Sequence, residues 1–167
     1  TLFFAMERAL DSENHEYVAK GYALAMQHAL SAKDRWQADS YLAWSLLLQH
    51  DDATAQNLFA RYSLQFLNQE TTPLHMLYGC WLAATEGEEI ALLHLSGTLE
   101  VPYPRSWALL SHHLLGNFDP PKTWLSRAFL WERRQLYRQL HLYHHCLGNS
   151  DEAATFRTLA KHECLLM

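Results

Sequence analysis

Apolar residues recur along most of this chain at spacings of three and four positions, which is the period of one face of an α-helix. No stretch alternates apolar and polar residues between hairpin turns, so the sequence predicts no β-strand. Residues that start or stop helices divide the periodic stretches into separate segments. The pattern therefore predicts an all-α fold with about eight to ten helices.

Four helices are predicted in the first half of the chain. A short apolar helix spans residues 2–10, and a longer amphipathic helix follows it and extends as far as Leu30. Asp34 is the predicted cap of the third helix, because its carboxylate accepts hydrogen bonds from the free amide groups at a helix start. Asp51 starts the fourth helix, whose apolar stripe continues to Glu70.

Glycine and proline mark the middle of the chain. Thr72 and Pro73 fit a cap followed by the first helical position, where the missing amide hydrogen of proline costs nothing. The helix that begins there stops at Gly87, and the next helix ends at Gly97. Residues 98–104 contain two prolines and form the longest predicted loop. These signals predict one further helical hairpin before the loop.

An eight-residue pattern occurs twice, at 112–119 and 144–151, with six identical positions at an offset of 32. Each copy has an apolar segment, a Leu-Gly-Asn turn and a second amphipathic segment, which predicts a helical hairpin used twice, over 102–133 and 134–167. Such a period is typical of stacked helical repeats. Whether 120–147 forms one helix or two stays open, because no glycine or proline stop lies in its middle.

The second copy has Tyr137, Leu140 and His144 before the turn, Gly148 in it, and Ala153 and Ala160 after it. This arrangement resembles a tetratricopeptide repeat, a family in which the two alanines lie where the hairpin helices touch. Ala53 and Ala60 loosely echo them in the first half of the chain. The sequence departs from the family at His141 and Arg157, and its period is shorter than about 34 residues. The resemblance implies an α-α superhelix of stacked antiparallel hairpins.

The same resemblance implies a concave groove lined by the first helix of each hairpin. Transferred by position, the groove residues are Tyr103, Ser106, Leu110 and His113 in one repeat and Gln135, Arg138, Leu142 and His145 in the next. Family members that hold a terminal carboxylate use lysine and asparagine at these positions, whereas this chain has neither residue type at any of the eight. The set therefore suits an amphipathic helix that carries an acidic residue, and the predicted partner is a helical or extended segment of another protein.

Composition narrows the possible partners. The chain has 167 residues, of which 49% are hydrophobic and 19% charged, which predicts a single richly packed domain over 1–167. A net charge of -5 supplies no basic field for phosphates, so direct nucleic-acid binding is not expected. No apolar run reaches the length of a membrane span, so we expect none.

The cysteines bear on the cellular location of the chain, and its first residue bears on whether it is part of a longer protein. Its three cysteines are far apart and odd in number, which favours reduced thiols and a cytoplasmic location over a disulfide framework. The chain begins with Thr1 rather than methionine, so we expect a piece of a longer protein.

Histidines are the main candidates for chemistry. His141, His144 and His145 have a spacing that can present two imidazoles for zinc, although no HExxH motif is present. Because the pair His112-His113 recurs as His144-His145 in the same part of the hairpin, packing between helices explains the pattern better than a metal does. Carboxylates fall mostly at predicted helix starts, where they act as caps. We expect no metal, no cofactor and no enzymatic activity.

The sequence thus favours a protein-interaction module. It could serve as an adaptor, a secretion or assembly chaperone, or the regulatory or oligomerisation part of a larger regulator, and a homo-oligomer stays open. Two alternatives remain: a helical enzyme or metal-dependent hydrolase that uses the histidines, and a small-molecule-sensing domain of a transcriptional regulator. Metal analysis of the purified protein separates the first alternative from a binding module.

Overall fold

The computed structural model describes residues 1–28, 30–69, 72–97, 108–114 and 130–166. Every regular element in these ranges is a helix, so the all-α prediction is confirmed for the described part of the chain. The chain divides into two compact units, a first unit of Thr1–Tyr62 and a second unit of Ser63–Met167. The single-domain organisation stays a prediction.

The described part of the first unit is built from packed amphipathic helices. They are α1 (Leu2–Asp11), α2 (His15–Ala25), α3 (Ala32–Leu48) and α4 (Asp52–Phe59). Helix α3 packs against the other three, and α1 also packs against α2. The core side chains with almost no exposure include Met6, Val18, Ala38, Leu47, Ala55 and Leu58. Their removal from water is the main stabilising contribution to this unit.

Two serines set helix boundaries that the apolar periodicity does not predict. Ser31, and not Asp34, caps α3, and its Oγ accepts a hydrogen bond from the Asp34 amide at 3.1 Å. Helix α2 ends at Ala25, so its predicted extension to Leu30 is wrong. Residues 26–28 leave the helix and form a turn before the new cap.

A similar local signal divides the predicted helix over 51–70. Its start is confirmed, because Asp51 Oδ1 accepts a hydrogen bond from the Thr54 amide at 3.3 Å. The continuation to Glu70 is wrong, since α4 ends at Phe59 and a short separate helix, α5 (Leu64–Leu67), follows. Ser63 caps α5 through a 3.1 Å bond from the Phe66 amide.

A buried carboxylate joins three parts of the first unit. Asp39 of α3 is only 1% exposed. Its Oδ1 accepts a hydrogen bond from the Tyr22 hydroxyl of α2 at 2.8 Å, and its Oδ2 accepts one from the Tyr62 hydroxyl after α4. Arg61 Nη1 lies 3.6 Å from Oδ1 and donates to the Tyr22 hydroxyl at 3.2 Å. These partners compensate the cost of burying a charge. Burial raises the pKa of both tyrosines.

The second unit is organised around its long helix α9. Besides α5, its described helices are α6 (Pro73–Thr85), α7 (Glu88–Ser96), α8 (Leu109–Leu114), α9 (Leu130–Leu147) and α10 (Ser150–Leu166). Helix α9 packs against α6, α8 and α10, and α7 packs between α6 and α8. Helix α9 is continuous from Leu130, so no turn occurs at Trp131. Residues 115–129, and with them most of the first predicted repeat, lie outside the described residues.

Four connections between consecutive helices share one backbone feature. Each contains a residue with positive φ: Glu13 (55°), His50 (57°), Gly87 (100°) and Gly148 (80°). A small buried residue follows each of them four or five positions later: Val18, Ala55, Ala91 and Ala153. Ala53 and Ala60 are exposed, so Ala55 rather than Ala53 occupies the position of Ala153.

The described helices also bear on the membrane prediction. Within the described ranges, none of the helices combines the length and the apolar content that a membrane crossing requires.

Candidate functional site

The candidate site is a cluster of four histidines in the second unit, His113, His141, His144 and His145, which we call the histidine cluster. Three of them lie in the last two turns of α9, where the backbone reverses direction at Gly148. The Gly148 amide donates to the His145 carbonyl at 3.2 Å, and the Asn149 amide donates to the His144 carbonyl at 2.9 Å. This pattern is the glycine-dependent helix end that fixes the following helix in place.

His141 ties α9 to α10. Its Nδ1–H donates to the carbonyl oxygen of Ala153 at 2.8 Å, and Ala153 is a buried contact residue of α10. The bond commits Nδ1 as a donor, so that nitrogen is not a metal ligand in this conformation. His141 therefore has a structural role at the hairpin.

Aromatic contacts surround His144. Its ring stacks on Phe156 of α10 at 5.5 Å between centroids with an interplanar angle of 14°. Tyr143 meets it edge-on at 5.4 Å, and Asn149 Nδ2 donates to His144 Nδ1 at 3.2 Å. The imidazole is thus oriented by neighbours from both sides of the turn.

Two histidines of the cluster, His113 and His144, have lowered pKa values, which favours their neutral forms. Burial lowers the pKa of His144, while the charges of Glu152 and Glu88 act in the opposite direction. Burial also lowers the pKa of His113, and the neighbouring His144 lowers it further. His113 of α8 and His144 of α9 are therefore close enough to influence each other's charge.

A carboxylate from α7 reaches the same region. Tyr143 is fully buried, and its hydroxyl donates to Glu88 Oε1 at 3.4 Å. Burial raises the pKa of Tyr143, and the negative charge of Glu88 adds to this effect. The contact links the start of α7 to the core of α9, and it places an acidic group beside the histidines.

The structure distributes the eight predicted groove residues unevenly. Tyr103 and Ser106 lie outside the described residues. Four of the remaining six are buried: Leu110 and Leu142 are 0% exposed, Gln135 is 1% exposed and Arg138 is 8% exposed. His113 and His145 are partly exposed. The groove stays a prediction, and these two histidines are its accessible described members.

These four residues are buried in the second unit, where α9 packs against α6, α8 and α10. The Leu110 amide donates to Gln139 Oε1 at 3.2 Å, and Arg138 Nη1 donates to Gln135 Oε1 at 3.3 Å. The sequence analysis missed Gln139, which is fully buried, as well as Glu88 and Glu152. No periodic signal marks such residues, because their partners are far away along the chain.

The contacts observed at the cluster are hydrogen bonds and ring stacking. Among the described residues, no three His, Cys, Asp or Glu side chains are arranged to hold one metal ion. Cys80 and Cys146 are buried free thiols, and burial raises the pKa of Cys80 well above its usual value. A thiol held in this protonated form is a poor nucleophile.

Comparisons with known proteins relate the chain to parts of larger kinases. No family model and no solved structure matches it. It is 39% identical over 165 residues to serine/threonine-protein kinase PknD of Protochlamydia amoebophila, covering 97% of this chain and 16% of that protein. It is 31% identical over 158 residues to PknD of Chlamydia caviae, covering 93% of this chain and again 16% of the relative. A third PknD, from Chlamydia pneumoniae, is 36% identical over 110 residues, covering 65% of this chain and 11% of that protein. The chain therefore spans less than one-fifth of the length of these curated relatives.

Proposed function

We propose that this chain is a non-catalytic helical segment of a larger serine/threonine-protein kinase, in which it binds another protein. One observation carries the proposal. The similarity to the Protochlamydia kinase runs along 97% of this chain but accounts for only 16% of the relative. A segment of that size fits a regulatory or interaction part of a larger enzyme.

The sequence supports the non-catalytic half of the proposal. A protein-kinase catalytic domain needs a glycine-rich loop over the ATP phosphates, a lysine on a β-strand, and His-Arg-Asp and Asp-Phe-Gly segments. None of the three sequence segments occurs in these 167 residues. The described residues also contain helices and no strand to carry the lysine.

The helical connections support a tetratricopeptide-like arrangement. A positive-φ residue and a buried small residue recur in four connections, from Glu13 and Val18 to Gly148 and Ala153. Small residues let paired helices approach closely, and stacked hairpins of this kind offer extended surfaces for other proteins. A module with this architecture acts through binding rather than through chemistry.

The histidine cluster supports binding more than hydrolysis. His141 Nδ1 is occupied by the Ala153 carbonyl, and the ring of His144 is stacked on Phe156. The side chains of His113 and His145 are partly exposed, so a partner can reach part of each ring. We place one end of the binding surface at these two residues, whose imidazole rings can form hydrogen bonds with a partner.

Deletion of the matching segment from the Protochlamydia kinase tests the proposal. We expect the shortened kinase to retain autophosphorylation and phosphate transfer to a generic protein substrate, because the deleted helices contain no phosphoryl-transfer residues. Proteins that co-purify with the intact kinase through this segment should be lost, and the isolated chain should capture them. If a shortened kinase that is still folded transfers no phosphate, or if co-purifying proteins are unchanged, the proposal is wrong.

A further inference from the structure

Two histidines outside the histidine cluster connect three helices of the second unit. His75 of α6 is fully buried, and its Nδ1–H donates to the Leu67 carbonyl of α5 at 2.9 Å. His94 of α7 donates from Nε2 to the His75 carbonyl at 3.0 Å. The two rings lie 4.4 Å apart between centroids with an interplanar angle of 35°. We call these residues the His75–His94 pair.

The hydrogen bonds fix where each proton sits. Because both acceptors are carbonyl oxygens, His75 must carry its proton on Nδ1 and His94 must carry its proton on Nε2. In the neutral rings the remaining nitrogens are unprotonated. No described residue offers a hydrogen-bond partner to the buried Nε2 of His75. A second proton on His75 would therefore create a buried cation without an acceptor, directly beside another imidazole.

Within the described part of the chain, no carboxylate acts on His75 or His94 to stabilise such a cation. Helix α6 packs against α5, α7 and α9. Helix α5 has no titratable side chain, and α7 brings His94 to the pair while its Glu88 is bonded to Tyr143. On the α9 side, Tyr143 and Cys146 are the titratable groups that interact with Cys80 of α6. Burial, the neighbouring His94 and the bond to the Leu67 carbonyl set the charge state of His75, and no carboxylate is among these causes. Tyr78 of α6 is a further titratable group at the pair, because its ring meets that of His94 edge-on at 5.0 Å.

We propose that the His75–His94 pair is an acid-sensitive latch, which holds α5 and α7 on α6 while both rings are neutral and releases them when a ring is protonated. Opening lets water and counterions reach the new charge, so the open form binds the proton more tightly than the closed form. The latch acts on the α5–α7 region and goes beyond the proposed kinase-segment function.

The direction of the pH effect follows from the pKa values. Burial lowers the pKa of His75 to about 4, and the neighbouring His94 contributes to the decrease. Burial also lowers the pKa of His94. An unfolded histidine has a pKa of about 6.5, so the open form takes up more protons between the two values. Neutral His75 makes its full contribution to the free energy of unfolding above about pH 6.5. This contribution falls as the pH decreases towards about 4 and does not change further below that pH.

Urea unfolding at pH 7 and pH 4.5 tests the latch. His75→Asn keeps a donor for the Leu67 carbonyl, because the asparagine amide nitrogen lies close to the position of Nδ1, but it removes the titrating ring. His94→Gln keeps a donor for the His75 carbonyl in the same way. From pH 7 to pH 4.5 the unfolding equilibrium constant of each protein increases by some factor. We expect this factor to be roughly 50 times smaller for His75→Asn than for the unaltered chain. The exposed His162→Gln is the matched control and should behave like the unaltered chain.

A second measurement on the unaltered chain does not depend on whether the variants fold. We expect the NMR signals of the His75 ring to stay in their neutral positions down to about pH 5. Hydrogen exchange, corrected for intrinsic rates, should accelerate in 73–96 before it accelerates in 151–162. The latch is wrong if His75 titrates in the ordinary histidine range in the folded protein. It is equally wrong if His75→Asn is as acid-sensitive as the unaltered chain, or if 73–96 opens no earlier than α10.

Discussion

Several histidines in this chain form hydrogen bonds that join helices. His15 Nδ1 lies 2.8 Å from Ser45 Oγ, and His75, His94 and His141 each donate to a backbone carbonyl. The sequence contains 11 histidines, and their abundance suggested metal chemistry as one alternative. These contacts agree with the interpretation that packing and hydrogen bonding between helices explain the recurrence.

At Gly79 the absence of a side chain determines how closely two helices approach. A Cβ atom at this position of α6 would lie 2.5 Å from Leu95 Cδ2 and 2.8 Å from Leu95 Cγ. Leu95 of α7 is fully buried and surrounded by core residues, so it has little room to move.

We therefore expect Gly79→Ala to destabilise the protein by about 1–3 kcal/mol through overpacking. This cost should exceed the gain of roughly 1 kcal/mol that alanine brings to a helix interior. Gly97→Ala is the control, because its Cβ would meet only ordinary contacts, the nearest being Leu93 O at 3.6 Å. Urea unfolding of both variants checks the prediction. A Gly79→Ala protein as stable as the unaltered chain would show that α6 and α7 are less closely packed.

The apolar period predicted the helical class and most helix positions, because it reports which face of each segment is buried. It placed the break between α2 and α3 at Leu30 rather than after Ala25, and it did not predict the break before Ser63, since apolar residues on both sides keep a helical spacing. Those boundaries depend on one side-chain oxygen that accepts a hydrogen bond from a nearby amide. A local cap therefore overrides a continuous stripe.

The candidate site was less predictable than the helices. Glu88 and Tyr143 are 55 positions apart, and Leu110 and Gln139 are 29 apart. Contacts of this range depend on how the helices of the second unit pack, and neither spacing nor composition encodes that packing in a readable way. Position-by-position transfer from a repeat family placed Leu110 and Leu142 at a surface, whereas neither side chain is exposed in the structure.

Ala153 tests the contact between α9 and α10. It is 3% exposed, and its carbonyl accepts the His141 bond. We expect Ala153→Leu to overpack this contact and cost about 1–3 kcal/mol, which lowers Tm by several degrees. Ala154→Leu, at an exposed neighbouring position, is the matched control. Equal melting temperatures for the two variants would mean that the helices do not meet at Ala153. The half-buried Ala160 should tolerate leucine better than Ala153 does.

Across the whole molecule, burial determines which predicted binding residues a partner can reach. Leu110 and Leu142 were expected to anchor a partner, yet both have no exposed surface. Of the described groove residues, His113 and His145 are the ones whose side chains are partly exposed. Loss of binding in a leucine variant would therefore not by itself locate the binding surface.

This distinction leads to a test that separates folding from binding. We expect Leu142→Asp to destabilise the protein by about 4 kcal/mol or more, because it places a carboxylate in an apolar core without a partner. His113→Ala together with His145→Ala should keep the far-UV circular dichroism spectrum and Tm of the unaltered chain, since both rings are partly exposed. Only the double histidine variant then reports on the proposed surface, through weaker capture of proteins that co-purify with the kinase. If Leu142→Asp instead melts like the unaltered chain and loses binding, Leu142 is not buried in solution and the groove is open. If the double histidine variant binds at full strength while Leu142→Asp unfolds, the partner uses another face of the helices.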